Sequence, residues 1–339
     1  MSPKQKTGFA TISDVANLAG VGKTSVSRFL NGEKSKLSEE LLEKISQAIT
    51  TLNYRPSQSA RMLKAGQSRL IGLILADIRN PYSIGVMQGI EQACKQAGYM
   101  LMVCNTDNQL EQQQRYIDLL KDYRVDGIII NMLGMADEQM ESFAHIECPF
   151  VFVDRTSDQM AVDSVGLNNH EAMQMGCEHL LEQNYESLLV ITQPLTIAPR
   201  IERLASLKSF TVQKQGMRCE VFETDGADAP LTAAIQQFLR SNRGLKKAIV
   251  TTNGMATMQT AKTLKKLNIH LGSQIGLLSV DDPDWVELVE GGITALRQPT
   301  SEIGEKACKL LINRINGDDC PPISLQLSAQ LIVRNSTAF

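Results

Sequence analysis

Thr11-Ile12-Ser13-Asp14-Val15-Ala16-Asn17-Leu18-Ala19-Gly20-Val21-Gly22-Lys23-Thr24-Ser25-Val26-Ser27-Arg28-Phe29-Leu30-Asn31 decides how this chain is read. Thr11 can cap a helix, and Asp14, three residues on, can return the bond as the acidic partner of a capping box. Ile12, Val15, Ala16 and Ala19 then share one helical face. Gly20 supplies a turn. A second short helix hides Val26, Phe29 and Leu30 and turns Lys23, Thr24, Ser27 and Arg28 outward. Helices this short are marginal alone, so the two pack together as a helix-turn-helix. Its outer face of small polar and basic side chains suits the DNA major groove. An ordinary helical hairpin shares the apolar spacing, and two enzyme motifs lie close by. Gly22-Lys23-Thr24 looks like the end of a phosphate-binding loop, but the glycine required at position 17 is Asn17. Gly20-Val21-Gly22 looks like the start of a dinucleotide fingerprint, but its third glycine falls on Ser25.

With Asp14-Val15-Ala16, Ala19-Gly20-Val21 and Val26-Ser27-Arg28-Phe29-Leu30-Asn31, the run resembles the DNA-binding signature of the LacI family of bacterial transcription regulators. Leu52-Asn53-Tyr54-Arg55-Pro56 and Ala60-Arg61-Met62-Leu63 continue in the same style. The resemblance implies a DNA-reading set of Thr11, Lys23, Thr24, Ser25, Ser27, Arg28, Asn31, Tyr54, Ala60 and Leu63. Lys23 and Thr24 match the two positions that choose bases, and a lysine there suits guanine. Leu63 matches a leucine wedged between base pairs in the minor groove. Gly22 departs from the pattern: the family usually places a phosphate-touching serine there.

Charge follows the same division. Residues 1–68 hold ten Lys/Arg and five Asp/Glu, a balance of +5 within a chain of net charge −3, so the remainder carries −8. A basic head on an acidic body fits a small DNA-reading module joined to a domain with another task. The expected division is a disordered arm at 1–8, a helix-turn-helix domain at 9–52, a hinge at 53–68 and a core at 69–339. Ser38 caps the third helix of the head, whose apolar stripe is Leu41, Leu42, Ile45, Ala48, Ile49 and Leu52. Pro56 stops that helix. The segment 57–66 is helix-competent but short of apolar partners, and the resemblance makes it a hinge helix ordered on DNA.

From Arg69 the texture changes to short apolar runs alternating with amphipathic helices, beginning with Leu70-Ile71-Gly72-Leu73-Ile74-Leu75-Ala76. That alternation predicts parallel sheets with crossover helices. The expected fold is an all-α three-helix head plus hinge helix, then an α/β bilobed core like a periplasmic sugar-binding protein, with two parallel sheets. The lobes are expected at about 69–165 with 293–325, and 166–292 with 326–339. Strand Ile293–Leu296 and helix Ser301–Asn316 are expected to cross back to the first lobe, and helix Asp137–Ala144 to lie within it.

Ligands of such sheets sit beyond the C-terminal strand ends. The residues there include Asp77, Tyr82, Asn131, Asp154, Arg155, Gln193, Asn253, Asp281, Asp282 and Gln298. Tyr82, Asp154, Arg200, Asn253, Asp281 and Gln298 match the family's effector-binding positions, and their donors and acceptors suit a polyol. Asp and Asn are also common turn residues. The Trp285 stretch and Leu288–Gln298 resemble the gluconate- and ketogluconate-responsive branch, so Trp285 joins the effector set. Arg200, Arg155 and Arg297 are available for a carboxylate. The expected effector is a sugar acid, with a neutral sugar or a purine as alternatives.

No apolar run reaches the ~18 residues of a membrane span. The polar, basic start carries no secretory signal, so a cytoplasmic protein without membrane association is expected. The seven cysteines form no Cys-x-x-Cys, and His170 and His179 stand nine apart, so neither a metal nor a cofactor is expected. The expected partners are double-stranded operator DNA, a small effector and a second copy of the chain, since each three-helix head spans one half-site. No leucine heptads follow the last strand, so no tetramer is expected through such a tail. A solute-binding protein of the same core fold and an enzyme are the rival classes. The basic head opposes the first, and the lack of an intact phosphate loop, nucleophile elbow or metal set opposes the second.

Overall fold

The computed structural model describes residues 10–55, 67–131, 143–154, 160–214 and 217–338, and the head and core form separate compact units. The hinge helix, Ala60, Leu63, Arg155, the terminal arm and most of Asp137–Ala144 lie outside the described residues.

In the head the capping box forms as spaced. The Thr11 backbone N–H donates to Asp14 Oδ2 at 2.8 Å, and the Asp14 N–H donates to Thr11 Oγ1 at 3.3 Å. Helix α1 (Ile12–Ala19) ends at Gly20, whose φ of +65° lets its N–H reach back to close the helix. Helix α2 (Lys23–Leu30) starts at Gly22 with no side-chain cap, and α3 (Glu39–Thr51) is capped by Ser38. Val15, Ala16, Ala19, Val26, Ile45 and Ala48 form the buried centre, with Phe29, Leu30, Ile49, Leu52 and Tyr54 packed around it.

The core runs β1 (Leu70–Leu75), α4 (Pro81–Gln96), β2 (Met100–Asn105), α5 (Leu110–Asp122), β3 (Gly127–Ile130), β4 (Phe150–Val153) and β5 (Asp163–Leu167). It continues with α6 (Asn169–Glu182), β6 (Ser187–Thr192), α7 (Ala198–Gln213), β7 (Arg218–Glu223), α8 (Asp228–Ser241), β8 (Lys247–Thr251), α9 (Gly254–Lys266) and β9 (Gly276–Val280). It closes with β10 (Thr294–Arg297), α10 (Thr300–Ile315), β11 (Ser324–Leu327) and β12 (Gln330–Ile332).

Two six-stranded sheets form, in the orders β11-β5-β4-β3-β1-β2 and β12-β10-β9-β8-β6-β7. The same winding appears twice, and only the β10–β12 pair is antiparallel among the described strands. Each sheet is covered on both faces, which is why its central strands read as unbroken apolar runs. Each strand order reverses at its first strand, which opens a crevice between β1 and β3 and another between β6 and β8, the place where sheets of this kind take ligands.

Three expected assignments need correction. Ile293–Leu296 does not cross back: β10 pairs with β9, Thr294 opposite Leu278, so it belongs to the second lobe, and the chain crosses at Gln298-Pro299. The first lobe runs through Leu167, because β5 pairs with β4. It also runs through Leu327, because β11 pairs with β5, so the last crossing lies between Leu327 and Gln330. Apolar periodicity reports that a strand is buried but carries no mark of which sheet it joins. Helix α10, in contrast, lies against α4 in the first lobe, with Gly89 and Gly304 at the crossing.

Candidate functional site

On the head, Lys23, Thr24, Arg28 and Asn31 are exposed, and Ser25 and Ser27 are partly so. This leaves one polar face on α2, opposite Val26. Asn31 Nδ2 reaches Ser27 Oγ at 3.4 Å, linking the two across one turn. Thr11 is exposed but already engaged in its cap, and the Tyr54 ring packs on the head core. Cations and short hydroxyls on one short helix can meet phosphates and base edges together.

In the core, a cavity of about 630 Å³ opens between the lobes. Tyr82 enters it from the first lobe, and Asp281, Trp285 and Gln298 from the second. Asn80 sets the Tyr82 position: its Oδ1 accepts from the Tyr82 N–H at 3.1 Å, capping α4 at Pro81. Asp281 and Asp154 follow β9 and β4 with φ of +80° and +70°, a left-handed conformation uncommon for residues other than glycine. In Asp281 this turns both carboxylate oxygens to use. Oδ2 accepts from the Gly254 N–H at 2.8 Å and Oδ1 from Gln298 Nε2 at 2.5 Å.

A second cluster stands at the β6–β8 crevice. Gln193 Oε1 accepts from Asn253 Nδ2 at 2.7 Å and from Arg200 Nη2 at 2.9 Å, and Arg200 Nη1 donates to the Pro194 carbonyl at 2.8 Å. Arg200, Asn253 and Asp154 do not line the 630 Å³ cavity itself. Asp154 nevertheless acts on both clusters. Burial, and then the Asp154 carboxylate, push the Tyr82 hydroxyl well above the usual phenol range. Burial lowers the Arg200 guanidinium, and Asp154 opposes that shift.

Two buried polar atoms of these residues, Arg200 Nε and Gln298 Oε1, have no hydrogen-bond partner, while the Tyr82 hydroxyl faces the Asp154 carboxylate. Buried polar groups are rarely left so, because each costs about 1–3 kcal/mol. An acceptor for Arg200 and a hydroxylated ligand for Gln298 fit those atoms chemically. Arg297 is not available in the same way, because its guanidinium lies on Asp282 at 2.6 Å.

Residues 11–57 match the family described as bacterial regulatory proteins, lacI family. Residues 68–335 match the periplasmic binding proteins and sugar binding domain of the LacI family. This chain belongs to the LacI family. It is 40% identical to the HTH-type transcriptional regulator PtxS of Pseudomonas aeruginosa, over 97% of this chain and 96% of that protein. It is 34% identical to the HTH-type transcriptional regulator KdgR of Bacillus subtilis, over 98% and 99%. Its fold is similar to that of the Lac repressor dimer bound to operator and the anti-inducer ONPF, with a TM-score of 0.85 at 23% identity, covering 97% and 99% of the two chains. The chain is therefore a LacI-type DNA-binding transcriptional regulator with a sugar-binding effector domain, and not an enzyme.

One buried charged residue beside Arg200 in this LacI-family regulator escapes the sequence reading. Arg203, one helical turn beyond Arg200, is only 5% exposed. Its Nε donates to Asn169 Oδ1 at 2.7 Å and its Nη1 to the Thr252 carbonyl at 2.8 Å. Its charge also reaches Tyr82, whose ionisation it favours against the carboxylates. The available signal was the i, i+3 spacing from Arg200, which puts both guanidiniums on one side of α7. Among the described residues no helix is long and apolar enough to cross a membrane, and no His, Cys, Asp and Glu cluster is arranged to hold a metal ion.

Proposed function

We propose that this regulator is a repressor that binds a pseudo-palindromic operator as a homodimer and is controlled by a sugar acid held in the interlobe cleft. The observation that carries the effector reading is the pair of unmatched buried atoms on Arg200 and Gln298 beside the Tyr82 ring. Tyr82, Gln298 and Asp281 line the cleft, where the Asp281 carboxylate suits paired hydroxyls, and the half-buried Arg200, beside it at the β6–β8 crevice, suits an anionic end. Asn253 and Trp285 complete the effector set, the tryptophan as an apolar wall for the carbon skeleton.

Lys23, Thr24, Ser25, Ser27, Arg28 and Asn31 read or position DNA, with Thr11, Tyr54, Ala60 and Leu63 contributing at the edges and in the minor groove. Effector binding changes the angle between the lobes and so the spacing of the two hinge segments at 53–68. A coupling of typically ~1–3 kcal/mol suffices to shift operator occupancy severalfold or more.

The test is thermal unfolding of the full chain against D-gluconate, 2-ketogluconate, D-glucose and hypoxanthine, followed by operator titration with the ligand that acts. A ligand at a hundredfold over its dissociation constant stabilises the folded state by ~2.7 kcal/mol. Stabilisation by the acids alone supports the reading. Stabilisation by glucose alone moves the arginines to structural roles. Failure to retard DNA at low salt refutes the regulator as proposed.

A further inference from the structure

We infer that Arg334, in the C-terminal tail, is a positioning residue of the effector cleft: it fastens both ends of the segment that carries Trp285. This rests on the cleft reading above. Asp282 directly follows the cleft carboxylate Asp281, and its side chain is 2% exposed. Arg334 Nη1 donates to Asp282 Oδ1 at 2.7 Å and to the Ile293 carbonyl at 2.8 Å. Arg334 Nη2 donates to Glu287 Oε1 at 2.9 Å and to Asp282 Oδ2 at 3.2 Å. One guanidinium thus bridges Asp282, Glu287 and the entry to β10. Trp285 lies between the first two, on the 3-10 turn Asp284–Leu288.

The surroundings are built to hold that guanidinium still. Arg334 also exchanges bonds with Thr294 through its backbone, its N–H donating to Thr294 Oγ1 at 2.9 Å and its carbonyl accepting from the same hydroxyl at 2.9 Å. Two residues on, Ser336 Oγ donates to the Leu277 carbonyl at 2.6 Å and accepts from the Thr294 N–H at 2.7 Å. Gly292 has φ of +87°, and a Cβ there would collide with the Arg334 side chain. The glycine therefore keeps open the space taken by the aliphatic stem of Arg334. A planar fork with five donors can satisfy all these acceptors at once, which a lysine ammonium cannot do at the same reach.

A purely structural ion pair would also be buried and well bonded, and the first lobe contains one for comparison. Arg314 pairs with Asp163 at 2.7 Å, with side-chain exposures of 15% and 4%. It holds β5 and the approach to β11 together and lines no part of the cleft. Arg334 and Arg314 therefore separate positioning from plain stability.

Trp285 is the sole tryptophan, so its fluorescence reports on the wall directly in the full chain. We would measure emission maximum, acrylamide quenching and thermal midpoint for Arg334→Met, Arg334→Lys, Glu287→Gln and Arg314→Met. D-gluconate and 2-ketogluconate affinity would follow on the same samples. Arg334→Met is expected to red-shift the emission, raise quenching and weaken binding of the acid about two- to thirtyfold. Arg334→Lys should recover part of each. Glu287→Gln changes a side chain that is 63% exposed and should give the same changes in smaller measure. Arg314→Met should lower the midpoint and leave emission and affinity in place. Unmoved emission in Arg334→Met, or an equal shift in Arg314→Met, overturns the inference. Should Arg334→Met not fold, unmoved emission in both Arg334→Lys and Glu287→Gln overturns it. If the wild-type chain ignores both acids, the sugar-acid reading fails, while the emission comparison still decides the role of Arg334.

Discussion

Asp281 offers the sharpest quantitative test of the cleft. Its carboxylate accepts from the Gly254 N–H and from Gln298 Nε2, and its backbone holds φ of +80°. Asp281→Asn keeps the shape and tolerates the left-handed backbone, so only charge and one acceptor change. Gln298 can answer by rotating its amide, because its Oε1 has no partner and can accept from the new Asn amide. Each bond then falls from a charged to a neutral one, about 1 kcal/mol apiece, and the helix start at Gly254 loses a nearby anion worth ~0.3–1 kcal/mol. The sum is ~2–3 kcal/mol. For a unit of this size that is a drop of roughly 5–10 °C in midpoint. Asp281→Ala instead strands two buried donors at ~1–3 kcal/mol each and forces Ala into a left-handed backbone at ~1–2 kcal/mol, roughly 3–8 kcal/mol together. Thermal unfolding of both variants, followed by circular dichroism without ligand, measures the gap. Equal midpoints for Asn and Ala would falsify the account of Asp281 as a doubly bonded carboxylate in a left-handed turn.

Three further outcomes are expected. Tyr82→Phe removes a buried hydroxyl that faces the Asp154 carboxylate. It should lower stability by no more than about 1.5 kcal/mol while weakening effector binding, and urea unfolding beside ligand titration checks both halves. His179 is buried, its Nε2 lies 2.7 Å from Thr337 Oγ1, and burial lowers its pKa. The unfolded chain therefore binds the proton more readily than the folded one. Stability is full above the unfolded value of about 6.5 and drains as pH falls below it, a slope that His179→Gln should flatten in denaturation between pH 5 and 7.5. At the crossing of α4 and α10, a Cβ on Gly304 would overlap the Val86 carbonyl. Gly304→Ala should cost about 1–3 kcal/mol or more, read as a lower urea midpoint with an unchanged slope, and a stability equal to wild type would sink the close-contact argument.

The parts legible in the sequence are those set by local chemistry. The capping box at Thr11 and Asp14 and the turn at Gly20 involve residues a few positions apart, so spacing alone predicts them. The apolar runs Phe150–Val153 and Leu188–Ile191 mark β4 and the middle of β6 (Ser187–Thr192) because helices cover both faces of their sheets. Strand β5 was missed because Asp163 breaks the apolar run. Its carboxylate accepts from Arg314, 151 residues away in sequence, and Ser164 meets Ser324 of β11 at 3.0 Å. Both strands are polar in composition and become strands through each other. That Asp154, Asp281 and Gln298 stand just past the ends of β4, β9 and β10 was legible because it needs only the strand ends. Arg203 was not, because an arginine in an amphipathic helix ordinarily reads as solvent-facing. Its burial is decided by Asn169 and Thr252, which arrive from other elements.

The chain passes between the two sheets three times, and both sheets are finished only by their final strands, β11 and β12. On the ribosome this sets an order of events. At about 5–20 residues per second, β1 is made roughly 13–50 s before the Ser324–Leu327 strand that completes its sheet. During that interval the β5 edge is unpaired, and the apolar face awaiting α10 is open to solvent or to a chaperone. A nascent chain stopped at Ala329 would lack β12 and Arg334, so the second lobe, begun at α6, would still be unfinished. Stability measured on the finished molecule is silent about this window.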